Sequence, residues 1–260
     1  MSKGLAIVTG ASTGIGFSLA SCAARDGYDL IVVADEPLIH AAAKDFESFG
    51  VVAAAVEADL STIDGVDRLL AAAEGRTIDV VCANAGVGTG GPFLDLSVAE
   101  WRHSIDTNVT GTVYLLQRVL KDMVARGAGR VLVTGSIAGY IPGPFNAIYN
   151  ATKAFIDNFT EALRNELKDV EGVTLTTLMP GPTETEFFAR AHMLDTSVGT
   201  SEKADPDKVA KDGWEALFAG KGHIVSGLSN KAQVLASGVV PQAVLAEMHR
   251  GMAEPGSGKK

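Results

Sequence analysis

The chain has 260 residues, 47% hydrophobic and 20% charged, the make-up of a globular protein with a sizeable core rather than a disordered one. Its 22 basic and 31 acidic residues give a net charge of −9 with no Lys/Arg cluster, which argues against nucleic acid or an anionic membrane surface as the main partner. Cys22 and Cys82 stand in apolar runs with no close-spaced His or Cys, so neither a disulfide framework nor a metal site is expected.

The chain order is read from hydrophobic periodicity. A strand-like run begins at Leu5, so no signal peptide or transit segment is expected. No apolar run approaches the ~20 residues that cross a bilayer, so a soluble, cytoplasmic protein is expected. Residues 5–9, 29–34, 51–58, 78–83, 130–135 and 173–180 read as strands. Their nearly continuous apolar character suits a parallel sheet covered on both faces. Helical patterns cover 14–26, 36–48, 62–74, 97–126 and 148–169. This alternation predicts repeated right-handed βαβ units, hence a single-domain α/β fold of Rossmann type, a doubly wound parallel sheet of about seven strands. Residues 184–205 read as a substrate-loop insertion, followed by a helix near 206–219, a short strand at 223–227 and a C-terminal helical stretch. The tail 254–260 is expected to be disordered.

Directly after the first strand comes TGASTGIG, with Gly10, Gly14 and Gly16 flanked by Ser12, Thr13 and Ile15. Glycine lets the chain turn sharply and approach a ligand without a Cβ in the way. The helix that follows offers free N–H groups to a pyrophosphate. A glycine triplet alone is a weak signal; its place between strand one and a helix favours a dinucleotide site. Strand two ends in Asp35 and Glu36 with no Arg or Lys nearby in the sequence. A carboxylate there accepts from ribose hydroxyls and repels a 2′-phosphate, so NAD is favoured over NADP. Asp35 could also simply cap the next helix, with Pro37 in its first turn. Asp59 and Leu60 after strand three, Asn84, Ala85 and Gly86 after strand four, and Pro180, Gly181, Thr183 and Thr185 after strand six fall at the same sheet edge, where a cofactor would pass.

Together, TGASTGIG, DL at 59–60, NAG at 84–86, Asn108 in DTNVTG, Ser136 in VTGSIAG, YNATK at 149–153 and PGPTETEF at 180–187 resemble the short-chain dehydrogenases/reductases, across about residues 5–190. The resemblance implies an NAD(P)-dependent oxidoreductase that interconverts a secondary alcohol and a ketone or aldehyde. It implies a catalytic tetrad of Asn108, Ser136, Tyr149 and Lys153, with Tyr149 as general acid/base. Lys153 would also hold the nicotinamide ribose, Ser136 would orient the substrate oxygen, and Asn108 would hold a water joining Lys153 to solvent. A free phenol titrates near ~10, and a cation one helical turn away, ~6 Å of rise, is expected to lower that value. In relatives with the nearest loop length the Asp35 position often carries an NADP-binding Arg, and the NAD-selecting Asp lies one residue earlier, here Ala34. NAD is the expectation and NADP stays open.

The expected substrate pocket comprises Phe93, Tyr140, Ile141, Phe145, Phe187, Phe188 and Met193, an apolar lining that suits a hydrophobic small molecule. His103, His192 and His223 have no partner visible in the sequence. Glu184 and Glu186 read as helix N-terminal carboxylates. The resemblance implies a homodimer or homotetramer built on helices 97–126 and 148–169, while the apolar C-terminal segment could cover the pocket or meet a neighbouring subunit. The reading from another class is a catalytically silent cofactor-binding regulatory or scaffold protein; against it, all four tetrad residues are present.

Overall fold

The computed structural model describes residues 2–258. Seven strands, β1 Leu5–Thr9, β2 Asp29–Ala34, β3 Ala53–Glu57, β4 Val80–Ala83, β5 Gly129–Thr134, β6 Val173–Met179 and β7 His223–Val225, form one sheet in the order β3-β2-β1-β4-β5-β6-β7. Every pairing is parallel. The helices are α1 Gly14–Arg25, α2 Leu38–Glu47, α3 Ile63–Ala71, α4 Val98–Ile105, α5 Thr112–Arg126, α6 Ala147–Glu166, α7 Phe187–Arg190, α8 Ser197–Thr200, α9 Pro206–Phe218, α10 Leu228–Ser237 and α11 Gln242–Ala253.

Successive side chains on a strand point to opposite faces, and the core divides accordingly. Ala6, Val8, Leu30 and Val32 pack with Leu19 of α1, Phe46 of α2 and Trp214 of α9 on one face. Leu5, Ile7, Ile31 and Val33 pack with Leu69 of α3, Leu116 of α5 and Ile156 of α6 on the other. Strands buried on both faces need no polar alternation, which is why they read as continuous apolar runs. The strand order reverses between β1 and β4. A crevice opens there, at the carboxyl ends of the strands, and the site occupies it.

The expected helix over 97–126 is divided. A capping box, Ser97 with Glu100, starts α4, and a π-helical turn at Asp106–Gly111 separates α4 from α5. The extra residue such a turn accommodates rotates Asn108 inward, and π turns of this kind concentrate at functional sites. The tail also differs from the expectation. Gly256 donates its N–H to Asp195 Oδ2 and Gly258 to the Asp195 carbonyl, both at 2.8 Å, while the Ser197 N–H donates to Ser257 Oγ at 3.0 Å. Residues 254–258 are thus tied to the 195–197 turn, and 259–260 lie outside the described residues. Among the described residues no helix is long and apolar enough to cross a membrane, and no cluster of His, Cys, Asp or Glu could hold a metal ion.

Candidate active site

The β1–α1 loop shows why its glycines are needed. Gly10 and Gly14 have φ of 64° and 58°, the left-handed region that L-residues with side chains avoid. A Cβ on Gly16 would lie 2.0 Å from the Gly10 carbonyl oxygen. The N-cap of α1, Thr13, makes no side-chain capping bond, so the first-turn N–H groups remain available to an anion. Thr9 Oγ1 accepts from the Asn84 and Ala85 N–H groups at 2.9 and 2.8 Å, fastening the ends of β1 and β4 to each other. The Asn84 side chain is itself consumed in the frame: its amide donates to the Thr9 carbonyl at 3.1 Å, and its Oδ1 accepts from Thr134 Oγ1 at 3.0 Å.

From this loop a cavity of about 560 Å³ runs along the sheet edge. Every position expected to meet a cofactor, from Gly10 to Thr185 and including Asp35, Asp59, Leu60, Asn84, Ala85, Gly86, Pro180, Gly181 and Thr183, lines it. So do Ser136, Tyr149 and Lys153. The uncapped helix start and glycines with no room for a Cβ fit a nicotinamide dinucleotide.

The tetrad positions meet at the far end. Asn150 Nδ2 donates to the Ala138 and Ile141 carbonyls at 3.0 and 3.2 Å, which holds the 3-10 turn Ile137–Tyr140, and with it Ser136, against α6. Lys153 is buried and donates to the Thr134 carbonyl at 2.8 Å. Asn108 stands behind the cavity wall. Its Oδ1 accepts from the Val87 N–H at 2.8 Å, and its Nδ2 donates to the Val87 carbonyl and to Thr152 Oγ1, each at 2.9 Å. A Cβ built on Gly86 would be 3.2 Å from Asn108 Oδ1 and 3.4 Å from Lys153 Nζ, so this glycine leaves the room that lets both groups pack against the wall.

With that geometry the relatives can be placed. The short chain dehydrogenase family model matches residues 4–193. An uncharacterized oxidoreductase of Myxococcus xanthus is 38% identical over 192 residues, covering 73% of this chain and 76% of the relative. Human 17-beta-hydroxysteroid dehydrogenase type 1 is 36% identical over 204 residues, 73% of this chain and 60% of that enzyme. A solved short-chain dehydrogenase from Sphingobium yanoikuyae, in complex with NADPH, superposes with a TM-score of 0.80 at 26% identity, covering 92% of this chain and 97% of that one. The chain belongs to the short-chain dehydrogenases. It is an oxidoreductase acting on CH–OH groups with NAD(P).

The electrostatics of this short-chain dehydrogenase differ from the expectation in one respect. Tyr149 keeps part of its surface open to the cavity, yet the dense protein around its hydroxyl desolvates it and pushes the phenol up to about 12. The Ser136 hydroxyl acts in the opposite direction, and the charge of Asp157 adds to the rise. Lys153 does not bring the value down in this arrangement: its ammonium is committed to the Thr134 carbonyl and lies 5.7 Å from the Tyr149 ring centroid. Burial also holds Lys153 itself below the usual lysine range.

Asp157, one turn beyond Lys153 on α6, escaped the sequence reading. It is buried, its carboxylate packs on Gly135 and Gly139, and neither oxygen has a well-formed hydrogen bond among the described residues; the Ser136 N–H is a nearby donor. Burial raises its pKa and the Lys153 charge lowers it. Because this carboxylate raises the pKa of both Lys153 and Tyr149, Asp157→Asn lowers both. In the oxidative direction the acidic limb of kcat/KM therefore moves to lower pH. A pH–rate series on the variant checks this; a limb that stays put or moves up contradicts it.

The substrate end needs correction. Ile141, Phe187, Phe188 and Met193 line the cavity, whereas Phe93, Tyr140 and Phe145 do not. Phe93 is 52% exposed on a 3-10 turn that buries none of its residues. The Tyr140 hydroxyl donates to Met179 Sδ at 3.4 Å, outside the lining. Phe145 sits one layer back, packed with Phe188 and Met193, beneath the Arg250 guanidinium. Phe187 lies on the Tyr149 ring, with centroids 4.8 Å apart.

Residues with no local signal complete the wall: Leu96, Val198, Gln233, His249 and Met252. His249 Nδ1 meets the Pro144 carbonyl at 3.0 Å, so that nitrogen carries the proton, and burial holds the ring below the usual histidine range. His103 and His192 reach the cavity while His223 is exposed away from it. Glu186 caps α7 by position and lines the cavity, and Glu184 pairs with Lys203 at 3.7 Å. Asp35 is exposed on the cavity rim and does not cap α2, whose N-cap is Pro37 with no side-chain bond.

Proposed function

We propose that this dehydrogenase interconverts a hydrophobic secondary alcohol and its ketone, with Tyr149 as general acid/base. The observation that carries the reading is the joint placement of Ser136, Tyr149 and Lys153 on the wall of the cavity that begins at the glycine loop. The nicotinamide, when bound, supplies or accepts the hydride. Tyr149 gives the carbonyl oxygen its proton in reduction and takes it back in oxidation. Ser136 orients that oxygen. Lys153 would hold the ribose of the cofactor, and its positive charge near the hydroxyl would favour the phenolate. Asn108, bonded to Val87 and Thr152, would hold a water that passes the proton from Lys153 to solvent. An apolar wall of Ile141, Phe187, Phe188 and Met193 favours an apolar substrate over a sugar. Phe187 excludes water from the Tyr149 ring face.

NAD is the preferred cofactor in this reading, since Asp35 stands on the cavity rim just after β2, where the adenosine ribose goes. Screening secondary alcohols and ketones with both cofactors tests it; absence of turnover across the panel, with cofactor bound, would favour the silent binding protein instead. We place the enzyme in the cytoplasm as a homodimer or homotetramer built on α5 and α6. Cys22 and Cys82 are unpaired, with burial raising both thiols. Phe155 on α6 is 45% exposed and stacks on Phe159. Light scattering at micromolar concentration checks the assembly, and a monomer would refute it.

A further inference from the structure

The sequence around β2 offers no cation, but the folded chain brings one. Arg190, from α7, donates through Nη2 to both oxygens of Glu36, at 2.9 and 3.1 Å. Glu36 Oε1 also accepts from Ser12 Oγ of the glycine loop at 2.5 Å. These contacts sit at the carboxyl end of β2, beside Asp35, where a dinucleotide's adenosine ribose is read. Arg190 and Lys153 are the Lys and Arg side chains that line the cavity among the described residues, and Lys153 belongs to the catalytic end. A guanidinium carries five N–H donors. Those on Nη1 and Nε of Arg190 have no protein partner among the described residues, and the side chain is 48% exposed. The group is therefore placed at the adenosine end with donors to spare, and its charge is compensated by Glu36.

We propose that the Glu36–Arg190 pair sets the discrimination between NAD and NADP. It rests on the NAD preference proposed above and gives its cause: NADP is disfavoured because Glu36 masks the cation that would bind a 2′-phosphate, not because the site lacks one. The 2′-phosphate carries nearly two negative charges at neutral pH. In the present arrangement it would meet the Glu36 and Asp35 carboxylates, with Arg190 already neutralised. Without the Glu36 charge, the fork of Arg190 is free for a bidentate phosphate contact. Ser12, released from Glu36, adds a hydroxyl donor. The 2′-hydroxyl of NAD can still be accepted by Asp35, so NAD binding depends less on Glu36.

Fluorescence titration of NADH and NADPH against the wild type, Glu36→Gln, Arg190→Met and the double variant tests this without turnover. The wild type should bind NADH more tightly than NADPH. Glu36→Gln should tighten NADPH by about tenfold or more, the range of a charge-assisted hydrogen bond, and change NADH by less than about threefold. Arg190→Met in the Glu36→Gln background should remove the gain. Displacement by 2′,5′-ADP against 5′-AMP should show the same pattern and isolates the 2′-phosphate from the nicotinamide end. An unchanged NADPH:NADH ratio in Glu36→Gln, a gain that survives loss of Arg190, or equal wild-type affinities would overturn the proposal while leaving the oxidoreductase reading intact. A wild type that binds neither cofactor would overturn both.

Discussion

Tyr149→Phe should lower kcat/KM by about a thousandfold, the middle of the range for loss of a general acid/base, while NADH still binds. The substitution removes one oxygen. That hydroxyl has the Ser136 hydroxyl beside it, and its environment pushes it up to about 12. Ser136 Oγ still donates to the Pro180 carbonyl and accepts from the Ala138 N–H once it is removed, so no buried partner is left unsatisfied, and Tm should stay within a few degrees of the wild type. The ring itself, packed on Phe187 at 4.8 Å, is retained. Binding, folding and turnover are thus separable in one variant. Steady-state kinetics beside an NADH titration and a thermal melt read all three. Retention of more than about a tenth of wild-type activity would place the proton transfer elsewhere.

Gly16→Ala should cost more in stability than any other single methyl on the glycine loop. The new carbon would stand 2.0 Å from the Gly10 oxygen and 2.6 Å from Asn84 Nδ2. Neither can yield cheaply. Gly10 is backbone, and Asn84 is held by Thr9 and Thr134. The loop must open, at an expected cost of about 3 kcal/mol or more, and cofactor affinity should fall at least about a hundredfold because the phosphate cradle opens with it. Gly251→Ala is the control. Gly251 lies in α11, exposed, with nothing within 4 Å of a built Cβ, so alanine there should stabilise by about 0.5–1 kcal/mol through helix propensity alone. Urea denaturation of the two variants measures the contrast; equal effects would mean that crowding at Gly16 is relieved by movement of the loop.

The parts of the site written in short spacings were legible in the sequence. Tyr149 and Lys153 lie one helical turn apart, and Gly10, Gly14 and Gly16 lie in one strand-to-helix turn; local geometry alone puts such groups on one face or in one bend. Ser136 and Asn108 required the family resemblance, because nothing local distinguishes them from a loop serine and a helical asparagine. The substrate wall was only partly legible. Apolar side chains near the strand ends were a fair guess for Ile141, Phe187, Phe188 and Met193, but chain proximity does not say which side of a turn a ring takes. Phe93 and Tyr140 turned outward and Phe145 fell one layer back. His249 and Gln233 entered from helices far along the chain, where no spacing announces them.

The sequence by itself determined the sheet, its parallel sense and the edge at which the cofactor cavity opens, because those follow from periodicity and from the handedness of βαβ connections. Only the tertiary structure decided the charges that act there. Arg190 reached Glu36 across 154 positions, and Asp157 became a buried carboxylate because the glycines at 135 and 139 left room for it. Tyr149 acquired a raised pKa from burial rather than a lowered one from its neighbour Lys153. Electrostatic energies depend on distance and desolvation, and neither quantity exists until the chain has folded. The Tyr–Lys spacing placed the two groups on one helical face, and the packed interior set the direction in which burial moves each of them.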